Sequence, residues 1–111
     1  MRISDLVKET KKLAVVYKTS ANEFTVNLEY RTQAVTLGFF SDLSEQTGIG
    51  KVVYQVVKII EKWDLTDDED KVIPITEEEI KAHDIPIYLL NSLLDAIAQD
   101  RIALSDDSKN G

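Results

Sequence analysis

The nine residues EFTVNLEYR, Glu23 to Arg31, alternate apolar and polar side chains at every step. Phe24, Val26, Leu28 and Tyr30 fall on one side, and Glu23, Thr25, Asn27, Glu29 and Arg31 on the other. A period of two defines a strand with one buried face. Upstream, KKLAVVYK is rich in β-branched residues and is separated from this strand by the turn-forming TSAN. The two runs therefore predict an antiparallel β-hairpin over about residues 12–31.

The rest of the chain reads as helix. The first ten residues suit a short helix capped by Ser4, with Leu6 and Val7 turned inward. Thr32 can cap a helix over about 33–46, where Val35, Phe39, Phe40 and Leu43 recur at three- and four-residue steps before Gly48 stops it. Gly38 weakens that helix by roughly 1 kcal/mol relative to alanine. Asp42 and Glu45 offer a second capping pair, so one helix or two remain open here. In KVVYQVVKIIEKW the polar residues Lys51, Gln55, Lys58 and Glu61 or Lys62 make one narrow wet stripe. That spacing predicts a deeply buried helix over about 51–63, closed by Trp63.

Thr76 and Glu79 match a capping box for a helix over about 77–83, and Glu77, Glu78 and Glu79 suit the positive end of its dipole. Asp84 as cap and Pro86 in the first turn then open a helix over about 86–100, with Leu89, Leu90, Leu93, Leu94 and Ile97 on one side. The expectation is a helix-dominated α+β single domain over 1–104, the hairpin packed on about four helices. A polar, mobile tail is expected over 105–111.

Charge narrows the function. From Glu61 to Asp84 there are ten carboxylates against three lysines, so this stretch accounts for the whole net charge of −7 and the remainder balances. No basic face is concentrated anywhere, which argues against nucleic-acid binding through phosphate neutralisation. Cysteine is absent, excluding thiol nucleophiles, disulfides and thiolate metal sites. Apolar runs are short and MRISDLVKETKK lacks the apolar stretch of a signal peptide, so neither export nor a membrane span is expected.

The acid run does not resemble a catalytic or metal centre. Counted as a calcium loop from Asp64, it lacks the glycine of the sixth position and the glutamate of the twelfth. Consecutive aspartates in a loop are similarly hydrated, whereas acid–base pairs need environments that push their pKa values apart. His83 is the single histidine and cannot build a multi-histidine zinc site. Gly48 and Gly50 form GIG without the remainder of either nucleotide motif. No catalytic residue, cofactor or metal is expected. The segment reads as a solvated connector between two helices, leaving water at Val72, Pro74 and Ile75 before Thr76 caps the next helix.

A tryptophan after an apolar helix, then WDLTDDEDKVIPIT, a glutamate run, the proline-started IPIYLLNSLLDAIAQD, and an upstream strand ending EYR resemble the tail assembly chaperones of long-tailed bacteriophages with flexible tails. In that family a Trp-Asp-Leu-x-Asp-Asp segment, a Pro-x-Thr helix start and an Ala-Ile near the helix end are expected. Here Trp63, Asp64, Asp67 and Asp68 belong to the first, Pro74 and Thr76 to the second, and Ala96 with Ile97 to the third. The resemblance covers about residues 22–100. It departs at Glu69-Asp70-Lys71, where a glycine is expected.

The resemblance implies a non-enzymatic role in the host cytoplasm during phage or prophage virion assembly. Such a protein keeps the long helical tape measure protein soluble, helps tail tube protein assemble around it, and is absent from the mature virion. Self-association is left open. Members of that family are often made in a short and a frameshifted long form; Ser108-Lys109-Asn110 permits the slippery codons TCA AAA AAC, and a longer form is left open. Candidate partner contacts are Phe39, Phe40, Ile102 and Leu104, reached by helix-in-groove binding. Two other classes compete: an acidic inhibitor or nucleic-acid mimic that binds a basic partner, and a small hydrolase holding a divalent ion at Asp64 to Asp70.

A specific ion present at 100 times its Kd stabilises a folded chain by about 2.7 kcal/mol. Magnesium, calcium and manganese are expected to leave the melting temperature unchanged in a thermal-shift assay.

Overall fold

The computed structural model describes residues 1–110, with side chains described through 104. In chain order the elements are α1 Ile3–Val7, β1 Thr10–Lys18, β2 Glu23–Arg31, α2 Leu37–Ser44, α3 Ile49–Ile59, β3 Ile60–Trp63, α4 Glu77–Ala82 and α5 Ile87–Asn110. The class is α+β, with one antiparallel sheet in the order β1-β2-β3.

The hairpin forms as its alternation requires. β1 and β2 pair without interruption from Thr10↔Arg31 to Lys18↔Glu23. Thr19 closes the turn, its N–H donating to the Asn22 carbonyl at 2.8 Å and its Oγ1 accepting from the Asn22 N–H at 3.0 Å. Val15, Val26, Leu28 and Tyr30 are buried, and they meet Val53 and Val56 of α3 and Leu90, Leu93 and Ile97 of α5 in one core. Phe24 shares their strand but remains 52% exposed beside the turn.

The expected helix over 51–63 is two elements. α3 ends at Ile59 and the chain turns directly into β3, which pairs with β2 through Leu28↔Trp63 and Tyr30↔Ile60. Glu61 and Lys62 together occupy the space opposite Glu29, a β-bulge. That extra residue lets Ile60 and Trp63, three apart, both face the core; on a regular strand they would oppose one another. Trp63 thus closes a strand rather than a helix. Arg31 fixes the junction: its Nη1 donates to the Lys58 carbonyl at 2.8 Å, capping α3, while the guanidinium pairs with Glu61.

The other helices differ from expectation at their ends. α2 is one short helix, capped by Thr36, whose side chain accepts from the Phe39 N–H. Thr32 is instead buried, donating from its N–H to the Glu9 carbonyl at 3.0 Å and from its hydroxyl to the Glu9 carboxylate at 2.8 Å. Gly48 sits at φ +55° as the residue before α3, so it starts that helix instead of stopping α2. α1 begins after Arg2 and not at a Ser4 cap; Leu6 is half-buried and Val7 exposed.

α4 is capped as expected by Thr76, but only one arm of the capping box forms. Glu79 turns forward to His83 at 3.2 Å. Asp84 does not cap α5. It closes α4 at φ +49°, its N–H donating to Lys81 while the Ile85 N–H reaches the Ile80 carbonyl. These are the paired bonds of a Schellman motif, whose left-handed position favours glycine. Pro86 lies just before α5 rather than inside its first turn, its carbonyl accepting from Leu89 and Leu90. α5 then runs to Asn110; the tail expected over 105–111 falls on Gly111 and on residues whose side chains lie outside the description. No helix among the described residues is long and apolar enough to cross a membrane.

Two substitutions separate these effects in chemical denaturation. Leu93→Ala, emptying a site with no exposure, is expected to cost about 2–5 kcal/mol. Asp84→Gly, relieving a left-handed aspartate, is expected to stabilise by about 0.5–1 kcal/mol.

Candidate protein-docking surface

The acid segment is a small ordered hairpin that connects a strand to a helix, not the loose link between two helices that its composition suggests. The Asp64 carboxylate turns back on β2, accepting from the Asn27 N–H at 3.0 Å and its side-chain amide at 2.9 Å, while the Asp64 N–H donates to the Asn27 carbonyl. Asp67 accepts from the N–H groups of Glu69 and Lys71 and so organises the tip. Thr66 bridges Val72, and Ile73 N–H donates to the Leu65 carbonyl. Asp70 takes φ +62°, the left-handed conformation that glycine accepts most easily, within the turn where the resemblance expects a glycine. The Trp63 indole N–H donates to the Ile73 carbonyl at 2.7 Å and fastens the hairpin to the core.

This geometry gives Asp64 and Asp67 backbone partners, and Asp68 is exposed. Among the described residues no group of three or more histidine, cysteine or carboxylate side chains converges as a metal site would require. Pro74 is exposed, and Thr76 and Glu79 serve α4.

A polar cluster invisible in the segment-by-segment reading lies elsewhere. Tyr30 has no exposed surface, and its hydroxyl donates to Asp100 at 2.6 Å. Lys11 completes the set at 2.8 Å from the same carboxylate. Asp100 follows Leu93 and Ile97 on the buried stripe of α5, and a carboxylate on such a stripe is the signal that could have found it. Bonds from Lys11 and Tyr30 hold the Asp100 carboxyl below its ordinary range. Burial, then the Asp100 bond and charge, push the Tyr30 phenol well above its own. With its hydroxyl enclosed, Tyr30 serves packing and offers no surface to a substrate.

Several exposed apolar residues lie on and around α2. Phe39 is buried, its ring 5.5 Å from that of Tyr54 on α3, so it anchors α2 and cannot itself be an exposed contact. Phe40 beside it is 58% exposed, Leu37 is 90% exposed, and Val35 and Ile49 are also open to solvent. A groove of about 540 Å³ opens between α1, the start of α2 and α3, with Val7, Phe39, Tyr54 and Val57 among its walls and none of the exposed residues just named lining it. Arg31, Lys58 and Asp42 supply charge at this groove, the Lys58 ammonium 5.9 Å from the Tyr54 ring centre. Ile102 and Leu104 are exposed on α5, a separate element. A second depression, about 410 Å³, lies on the open face of the sheet among Lys12, Asn27, Glu29 and Lys62.

No family model, no curated protein and no solved structure matches this chain.

The Tyr30–Asp100–Lys11 cluster makes stability depend on pH in two windows. A carboxyl depressed by folding stabilises above its unfolded value of about 3.9, and that contribution fades as pH falls through the folded value. A phenol raised by folding stabilises below about pH 10 and loses its contribution as pH rises beyond. In denaturant titrations, Asp100→Asn is therefore expected to lower stability at neutral pH and flatten the acid limb. Tyr30→Phe is expected to flatten the alkaline limb.

Proposed function

We propose that this protein is a tail assembly chaperone of a long-tailed bacteriophage, a non-catalytic binder that holds tape measure protein in the host cytoplasm until tail tube subunits enclose it. The reading rests on the ordered resemblance from EYR through WDLTDD and PIT to the leucine helix. The observation that carries it physically is the exposed apolar set Val35, Leu37, Phe40 and Ile49 on and around α2, the helix whose Phe39 lines an open groove. Single exposed apolar residues are ordinary, but several on and around one short helix suit a partner that presents an apolar helical face. Tape measure helices have such faces before assembly. The net charge of −7 opposes aggregation of the loaded complex.

The acidic-inhibitor reading is weaker on the same grounds. Asp64 and Asp67 hold the chain's own backbone, so the acid run offers fewer free carboxylates than its composition suggests. A basic partner would have to bind the hairpin and lose affinity steeply with salt.

Co-expression with tagged tape measure protein tests the proposal. The tape measure protein is expected to remain soluble and to co-purify with the chain at high salt. Phe40→Asp is expected to reduce recovery about tenfold while the melting temperature stays within a few degrees, since this side chain is largely in solvent. No co-purification, or capture abolished by moderate salt and indifferent to Phe40→Asp, would overturn the reading.

A further inference from the structure

We propose that the free edge of β1 joins two copies of this chain: their Thr10–Lys18 strands pair antiparallel about a two-fold axis at Ala14, making one continuous sheet from two. The inference is independent of the chaperone reading. Strand order β1-β2-β3 leaves one side of β1 without a neighbour. Among the described residues none hydrogen-bonds the outward backbone groups of this strand. It is nine residues long, with no proline, glycine or bulge. Such an edge is a ready template for pairing, and proteins ordinarily blunt it with lysines.

β1 does contain lysines, but each faces a carboxylate of its own chain. Lys11 lies 2.8 Å from Asp100, Lys18 lies 4.0 Å from Glu23, and Lys12 is in register opposite Glu29. The edge is therefore close to neutral, which favours neither a strongly acidic nor a strongly basic foreign strand.

Register and charge placement point to a second copy. Pairing about Ala14 engages the full strand and sets Thr10 opposite Lys18, Lys11 opposite Tyr17, Lys12 opposite Val16, and Leu13 opposite Val15. No lysine then faces a lysine. Shifting the axis to Val15 would place Lys12 against Lys18, which like-charge repulsion disfavours. Val16, 51% exposed, gains cover from the stem of the other copy's Lys12. The acid stretch that holds the entire net charge follows β3, at the opposite edge of the sheet. Pairing through β1 keeps the two acid stretches at the far ends of the joined sheet, where their mutual repulsion is least.

Sedimentation equilibrium across micromolar to millimolar concentrations tests this with Ala14 variants, whose side chain is exposed in the single chain. Wild type is expected to be dimeric at the upper end. Ala14→Lys and Ala14→Glu each set like charges face to face and are expected to weaken association about tenfold or more. An equimolar mixture of the two is expected to restore a dimer, which requires both variants to be folded. Because the chain has no cysteine, Ala14→Cys is expected to oxidise to a single disulfide-linked dimer. A wild type monomeric throughout, including one whose edge instead captures a strand from another protein, would overturn the proposal. So would association indifferent to charge at Ala14, or a folded mixture that fails to pair.

Discussion

A fully buried phenol on the central strand cannot leave its hydroxyl unpaired, and the way Tyr30 meets that requirement determines how the last helix rests on the sheet. Its donor reaches Asp100 of α5, and Asp100 is in turn held by Lys11 of β1. Leaving a buried polar group unpaired costs about 1–3 kcal/mol. A displacement of α5 that broke this contact would incur that cost as well as the loss of the Leu90, Leu93 and Ile97 packing. One hydrogen-bonded triad thus registers the first strand, the middle strand and the final helix against each other.

The other side of the sheet is fixed by a different set of bonds. Arg31 caps α3, Asp64 grips Asn27, and the Trp63 indole holds the Ile73 carbonyl, so β3 and the acid hairpin are tied to β2 at several points. Neither set reaches α2. That helix fully buries only Phe39, outside the main core cluster, and stands against Tyr54 with Leu43 half-buried and Leu37 and Phe40 in solvent. The molecule therefore combines a pinned sheet with a lightly anchored helix.

Much of this architecture was legible in the residues. The two-residue period of EFTVNLEYR gave the hairpin almost to its ends, because one buried face imposes that period directly. The leucine stripe gave α5, and Thr76 its cap on α4. The helix-to-strand change after Ile59 was not legible, for a definite reason: the bulge opposite Glu29 spaces the inward residues Ile60 and Trp63 three apart, which imitates a helix. Asp84 reads as a cap for α5 because a left-handed aspartate closing one helix occupies the place of a cap for the next. At the candidate surface, Phe40, Ile102 and Leu104 are exposed, while Phe39 is not separable from Phe40 without knowing that Tyr54 lies against it. The Tyr30–Asp100–Lys11 cluster joins residues far apart in the chain, and local pattern shows only its carboxylate.

Hydrogen–deuterium exchange on the chain, alone and bound to a helical segment of tape measure protein, tests most directly the claim that its apolar side grips polypeptide while its acid hairpin serves the fold. The account predicts new protection over Val35 to Tyr54, with the amides of Asp64 to Ile73 unchanged. Protection confined to the acid hairpin, with α2 exchanging as fast as in the free chain, would contradict it.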